Sequence, residues 1–167
     1  MSLIDYTYFE GFINIPNTNK EEVNTFLDSE IARLEPIFLK EVFGYEFQKE
    51  MLDNSSDIRF ENILTGTEFT DIAGDLQIWE GLSDPLAYYV YSYFLKDNLN
   101  GLTGIGFTSG KSENSERITA IDKPVNVFNK MGDKLEVLRA FFLASGTTYE
   151  SDSLIFNNFE KINSFGI

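Results

Sequence analysis

The chain has 167 residues, a length that suits one domain with an ordinary core. Hydrophobic residues at 43% and charged residues at 24% exclude wholesale disorder. Acidic side chains outnumber basic ones 27 to 13, a net charge of −14 that repels phosphate and argues against tight nonspecific nucleic-acid binding. Histidine and cysteine are both absent, which removes disulfides, Cys or His zinc sites, thiol nucleophiles and imidazole bases. Any catalysis would have to use carboxylates, Lys, Tyr or an oxygen-ligated metal. Aromatic residues reach 15%, an enrichment typical of protein interfaces.

In chain order, residues 1–18 carry Tyr6, Tyr8, Phe9, Phe12, Ile13 and Ile15 without a helical period and read as an extended arm or short helical turn. The opening MSLIDYTYFEGF lacks a basic region followed by an apolar stretch, and no run of 18 apolar residues follows, so the expectation is synthesis in a cytoplasm without export or membrane insertion. Asn19 with Glu22 resembles a capping box at a helix start. From there Val23, Leu27, Ile31, Leu34 and Phe38 recur at steps of four or three and predict a core-facing helix. Pro36 within it predicts a kink or two consecutive helices near Glu35. Gly44 is the expected stop, with a short helix over Tyr45 to Leu52 after it.

The stretch from Asp53 to Asp75 is polar and rich in turn formers and reads as a long connection, with a small hairpin pairing Phe69–Ile72 with Leu76–Trp79. Asp84 and Pro85 supply an N-cap and first-position proline, and Leu86, Tyr89, Val90, Tyr93 and Phe94 follow at helical offsets. That helix, about 15 residues or 22 Å, is central to the fold and too short to cross a bilayer. Residues 103–119 are glycine-rich and polar around Ile105, Phe107 and Ile118, as a protruding hairpin or loop would be. Pro124 opens a second strong helix, in which Phe128, Met131, Leu135, Leu138 and Phe142 form one stripe before Gly146. The tail, 147–167, is aromatic and aperiodic, and its apolar groups need something to dock on. The expected fold is mainly α: a bundle of about four helices with one or two small β-hairpins and extended N- and C-terminal arms.

Chemical motifs are sparse. Gly106-Phe107-Thr108-Ser109-Gly110-Lys111-Ser112 imitates a phosphate-binding loop, but three residues separate Gly106 from Gly110 where four are required. Gly101, Gly104 and Gly106 reverse the dinucleotide fingerprint and lack a βαβ setting. Asp53, Ser55 and Asp57 have calcium-loop spacing, but Ile58 stands where glycine is needed and Leu64 where a bidentate Glu belongs. Glu113 with Glu116 and Asp71 with Asp75 are carboxylate pairs that so acidic a chain produces by chance. The aromatic stripe after Leu86 reads as core packing rather than a ligand pocket. No cofactor, metal or catalytic residue is implied.

The succession WEGLSDPLAYYVYSYFL, TGIGFTSGKSENSERIT, a proline-started helix and a closing KINSFGI resembles the small head-tail connector and neck proteins of tailed bacteriophages and prophages, particularly those of Bacteroidetes hosts, over roughly residues 20 to 167. The resemblance implies a non-enzymatic, mainly helical virion protein in a ring, commonly of twelve copies, between portal and tail. It implies contacts with portal, tail or neck proteins and passage of double-stranded DNA without tight binding. It also implies synthesis in the bacterial host cytoplasm and residence in the virion neck. Gly104, Ile105, Phe107, Lys111 and Arg117 would lie on the projecting element. Phe156, Phe159, Phe165 and Ile167 would lie on a tail reaching a neighbouring subunit or the portal. Pro36 and the long connection before Trp79 depart from a simple adaptor pattern. Two other classes compete with this reading: a carboxylate- or metal-dependent enzyme, and an acidic inhibitor or DNA mimic.

Overall fold

A computed structural model describes residues 2–18, 20–101, 122–146 and 159. The described chain is mainly α-helical, with a two-stranded antiparallel sheet. Two 3-10 turns, Tyr6–Tyr8 and Gly11–Ile13, precede helix α1 (Glu21–Phe43). Helices α2 (Tyr45–Asp53) and α3 (Ile58–Thr65) follow, then strands β1 (Thr67–Thr70) and β2 (Leu76–Trp79). The long helices α4 (Ser83–Gly101) and α5 (Asp122–Ala144) complete it.

The helical stripes act as their spacing requires. Leu27, Ile31, Leu34 and Phe38 of α1, Leu86, Tyr89 and Val90 of α4, and Met131, Leu135, Leu138 and Phe142 of α5 are all buried in one core. α4 and α5 pack side by side and run antiparallel, since Asp84 meets Lys134 toward one end and Tyr91 meets Lys123 toward the other. α1 lies against α4, where the Phe38 and Tyr89 rings sit 5.2 Å apart.

Four details differ from expectation. α1 is one helix through Pro36 and not two consecutive ones. The proline deletes one backbone bond, but Leu34, Phe38, Leu39 and Val42 around it are almost wholly buried, and that packing outweighs the local penalty. α1 also starts at Glu21, with Lys20 at the N-cap and no side-chain cap; Asn19 lies outside the described residues. The supposed long connection contains α3, which buries Phe60 and Ile63 and is capped by the Asp57 carboxylate accepting from the Arg59 amide at 2.9 Å. α4 begins at Ser83, which places Asp84 in its first turn. Gly44, by contrast, ends α1 as expected, at φ +75°.

The segment before α1 takes the form of short helical turns and is bound to the core. Ile4, Phe9, Ile13 and Ile15 are buried. The carboxylate of Glu35, itself 9% exposed, accepts from the Ser2 hydroxyl at 2.5 Å and the Leu3 amide at 3.1 Å. Ser83 Oγ donates to the Leu3 carbonyl and the Tyr91 hydroxyl to that of Asn14, so α4 holds this segment as well.

Candidate functional site

The hairpin pairs Thr67 with Trp79, Glu68 with Ile78, Phe69 with Gln77 and Thr70 with Leu76. β1 thus starts and ends two residues before the expected strand, and Asp71 and Ile72 belong to the turn. The Asp71 carboxylate accepts from the amides of Ala73 at 2.9 Å and Asp75 at 3.0 Å, and from Gln77 Nε2 at 3.2 Å. Those bonds, the Asp75 amide first, hold its pKa below the ordinary carboxylate value and keep it charged.

Strand alternation divides the hairpin into two faces. The inner face sets Phe69 against Phe141 of α5 at 5.4 Å between ring centres and buries Trp79, whose indole N–H donates to the Ile63 carbonyl at 2.8 Å. The outer face presents Leu76 and Ile78, 69% and 60% exposed, with Ile72 at the turn 81% exposed. Three branched aliphatic side chains are thus exposed together on this hairpin. Its rim is acidic: the stretch Thr67–Gly81 holds Glu68, Asp71, Asp75 and Glu80 and no basic residue.

Two glycines fix the hairpin to the helices. Gly66 (φ +96°) and Gly81 (φ +93°) face each other where α3 passes into β1 and β2 passes into α4. A Cβ on Gly66 would stand 2.4 Å from the Trp79 carbonyl oxygen, and one on Gly81 2.7 Å from that of Leu64. Glycine is required at both corners by conformation and by space.

A row of cations lines one face of α5. Lys123, Lys130 and Lys134 lie over the rings of Tyr91, Phe12 and Tyr88 at 5.3, 3.5 and 5.4 Å. Phe12 stacks on Tyr88 at 6.2 Å and stays 44% exposed. Lys134 is neutralised by Asp84 and, at 3.4 Å, by Glu80, beside a cleft of about 30 Å³ that has room for a water or two. Burial works against the Lys134 charge, and the Asp84 and Glu80 carboxylates more than offset it, raising its pKa. Lys123 and Lys130 are exposed and have no ion pair among the described residues.

Phe159 of the sequence-predicted contacts is buried in its own chain's core, its ring 6.1 Å from Phe38, 6.2 Å from Tyr89 and 6.3 Å from Phe128. Three rings of its own chain's core cover the Phe159 side chain. Gly104, Ile105, Phe107, Lys111, Arg117, Phe156, Phe165 and Ile167 lie outside the described residues, as do the glycine-rich motif and the Glu113–Glu116 pair. Asp71 is engaged as a turn cap and Asp57 as a helix cap. Among the described residues, no three acids converge as a metal-ligand set and no helix is long and apolar enough to cross a membrane.

Sequence reasoning located the hairpin without its outer face, because β2 carries apolar residues on both sides and alternation does not say which side is covered. The lysine row had a signal, the seven-residue spacing of Lys123 and Lys130, but its ring partners come from distant segments. No protein-family model, curated protein or solved structure matches the chain.

Proposed function

We propose that the chain is a structural component of a tailed phage or prophage virion, a ring-forming head-tail connector between portal and tail through which DNA passes. The observation that carries this reading is a −14 charge on a mainly helical protomer that also exposes an aliphatic sheet face. Acidic walls around a channel hold a duplex off the surface; at physiological salt the repulsion reaches about 8 Å, enough to keep phosphates from seating. Exposed apolar side chains on a charged protomer suit a subunit whose final burial comes from neighbours. The order of the aromatic, glycine-rich and proline-started segments adds to this through the resemblance described above. On this reading Gly104, Ile105, Phe107, Lys111, Arg117, Phe156, Phe165 and Ile167 serve contacts to neighbours, portal or tail, and the protein is made in the host cytoplasm and resides in the neck.

The test is genetic and structural. In a phage genome carrying this coding sequence, its deletion should leave DNA-filled heads and separate tails, with infectious particles restored by supplying the protein in trans. Normal, tailed virions from the deletion would overturn the proposal.

A further inference from the structure

We infer that the outer face of the hairpin is covered by a second copy of this chain, through the lysine–aromatic row on α5. This rests on the ring-forming role proposed above and specifies the two surfaces that would meet. One surface has an aliphatic centre, Ile72, Leu76 and Ile78, within an acidic rim of Glu68, Asp71 and Asp75. The other has an exposed aromatic centre, Phe12, beside Lys123 and Lys130, and the stretch Lys123–Met131 contains no carboxylate. Apolar centres and opposite charges therefore match, on a chain whose overall charge would otherwise drive copies apart.

Among the described residues, Lys123 and Lys130 have no ion pair, which leaves their charge for a partner. Lys123 and Lys130 rest on the faces of Tyr91 and Phe12, which orient a cation without neutralising it, whereas Lys134 in the same row is already consumed by Asp84 and Glu80. Within one molecule the two surfaces adjoin at an edge, where Glu80 pairs with Lys134 and Ile78 lines the same cleft, but they do not cover each other: Ile72, Leu76 and Ile78 stay 81%, 69% and 60% exposed, and Lys123 and Lys130 are exposed as well. On the ring-forming reading the two patches meet as a heterologous contact, which repeats head to tail and closes into a ring or continues as a filament.

The natural absence of cysteine allows a direct test on the full chain. Leu76→Cys marks the hairpin face, and Asn126→Cys marks an exposed position between Lys123 and Lys130 on the same face of α5. Each variant is first checked for native helicity by circular dichroism, then oxidised alone and in an equal mixture. The expected result is a disulfide-linked dimer in the mixture that exceeds the self-linked species, and a ladder of multimers from a chain carrying both substitutions. Adding Lys123→Glu and Lys130→Glu should lower the linked yield on the order of tenfold or more.

Self-linkage of Leu76→Cys as the main product would overturn the inference, because it marks a symmetric contact. Absence of any linked species would also overturn it, whether the protein is monomeric, oligomeric by light scattering through other faces, or covers the hairpin with a different basic protein. Failed linkage together with a deletion that still separates heads from tails sinks the interface alone. A ladder from a chain whose deletion leaves virions normal sinks the neck role alone.

Discussion

Replacing Gly66 with alanine tests whether the hairpin is locked to the helices by backbone contact. Gly66 has φ +96° and ψ 162°, a region open almost solely to glycine, so any side chain there costs of order 1–3 kcal/mol. The new methyl would also stand 2.4 Å from the Trp79 carbonyl oxygen and 2.8 Å from the Glu80 carbonyl carbon, about 1 Å inside ordinary contact. To relieve that overlap, the α3–β1 corner must separate from the β2–α4 corner. Two hydrogen bonds span the same gap, from the Leu82 amide to the Leu64 carbonyl at 3.2 Å and from the Trp79 indole to the Ile63 carbonyl at 2.8 Å, each worth about 1 kcal/mol.

Gly66→Ala should therefore lose about 4 kcal/mol. At about 2–4 °C per kcal/mol, that lowers Tm by roughly 10 °C. Gly74→Ala is the control. It has φ +92° but nothing within 4 Å of the added Cβ, so it should lose about 1 kcal/mol from conformation alone. Urea unfolding followed by both circular dichroism and the fluorescence of Trp79, the sole tryptophan, reads global stability and this corner together. Equal losses for the two variants would refute the argument, since the steric contact would then contribute nothing.

Phe159→Ala should cost about 3 kcal/mol, because its ring fills space among Phe38, Tyr89 and Phe128; a loss below about 1 kcal/mol in a denaturant titration would contradict its core position. Burial, then the hydrogen bonds with the Tyr93 and Glu41 side chains, raises the pKa of the Tyr89 hydroxyl above its ordinary 10.0. The unfolded chain thus gives up this proton first, so the Tyr89 contribution is intact below pH 10 and is lost as pH rises beyond it; Tyr89→Phe should flatten the alkaline limb of a Tm–pH curve. Glu35→Ala should cost about 1–3 kcal/mol and speed amide exchange in residues 3–15, while Glu35→Gln, which keeps an acceptor, should do much less.

What the sequence made legible divides along the range of the forces involved. The α5 stripe and the Gly44 stop are local signals, and both stand in the structure. Pro36 is a local signal that packing outweighs, because Leu34, Phe38, Leu39 and Val42 of the same helix are buried in the core. α3 escaped notice since an eight-residue helix with two buried side chains, Phe60 and Ile63, has too short a period to rise above a polar background. The candidate surfaces were the least legible: the alternation of Leu76 and Ile78 announced a strand, but its exposure depends on Phe69 and Trp79 having claimed the inner face. The pairing of Lys130 with Phe12 joins residues that no sequence window contains.

The grip on residues 2–15 also sets an order of events during synthesis. Leu3 is held by Glu35 and Ser83, and Asn14 by Tyr91, so the chain must be translated beyond α4 before Ile4, Phe9, Ile13 and Ile15 have a place to go. Until then these four apolar side chains stand open to ribosome-associated chaperones.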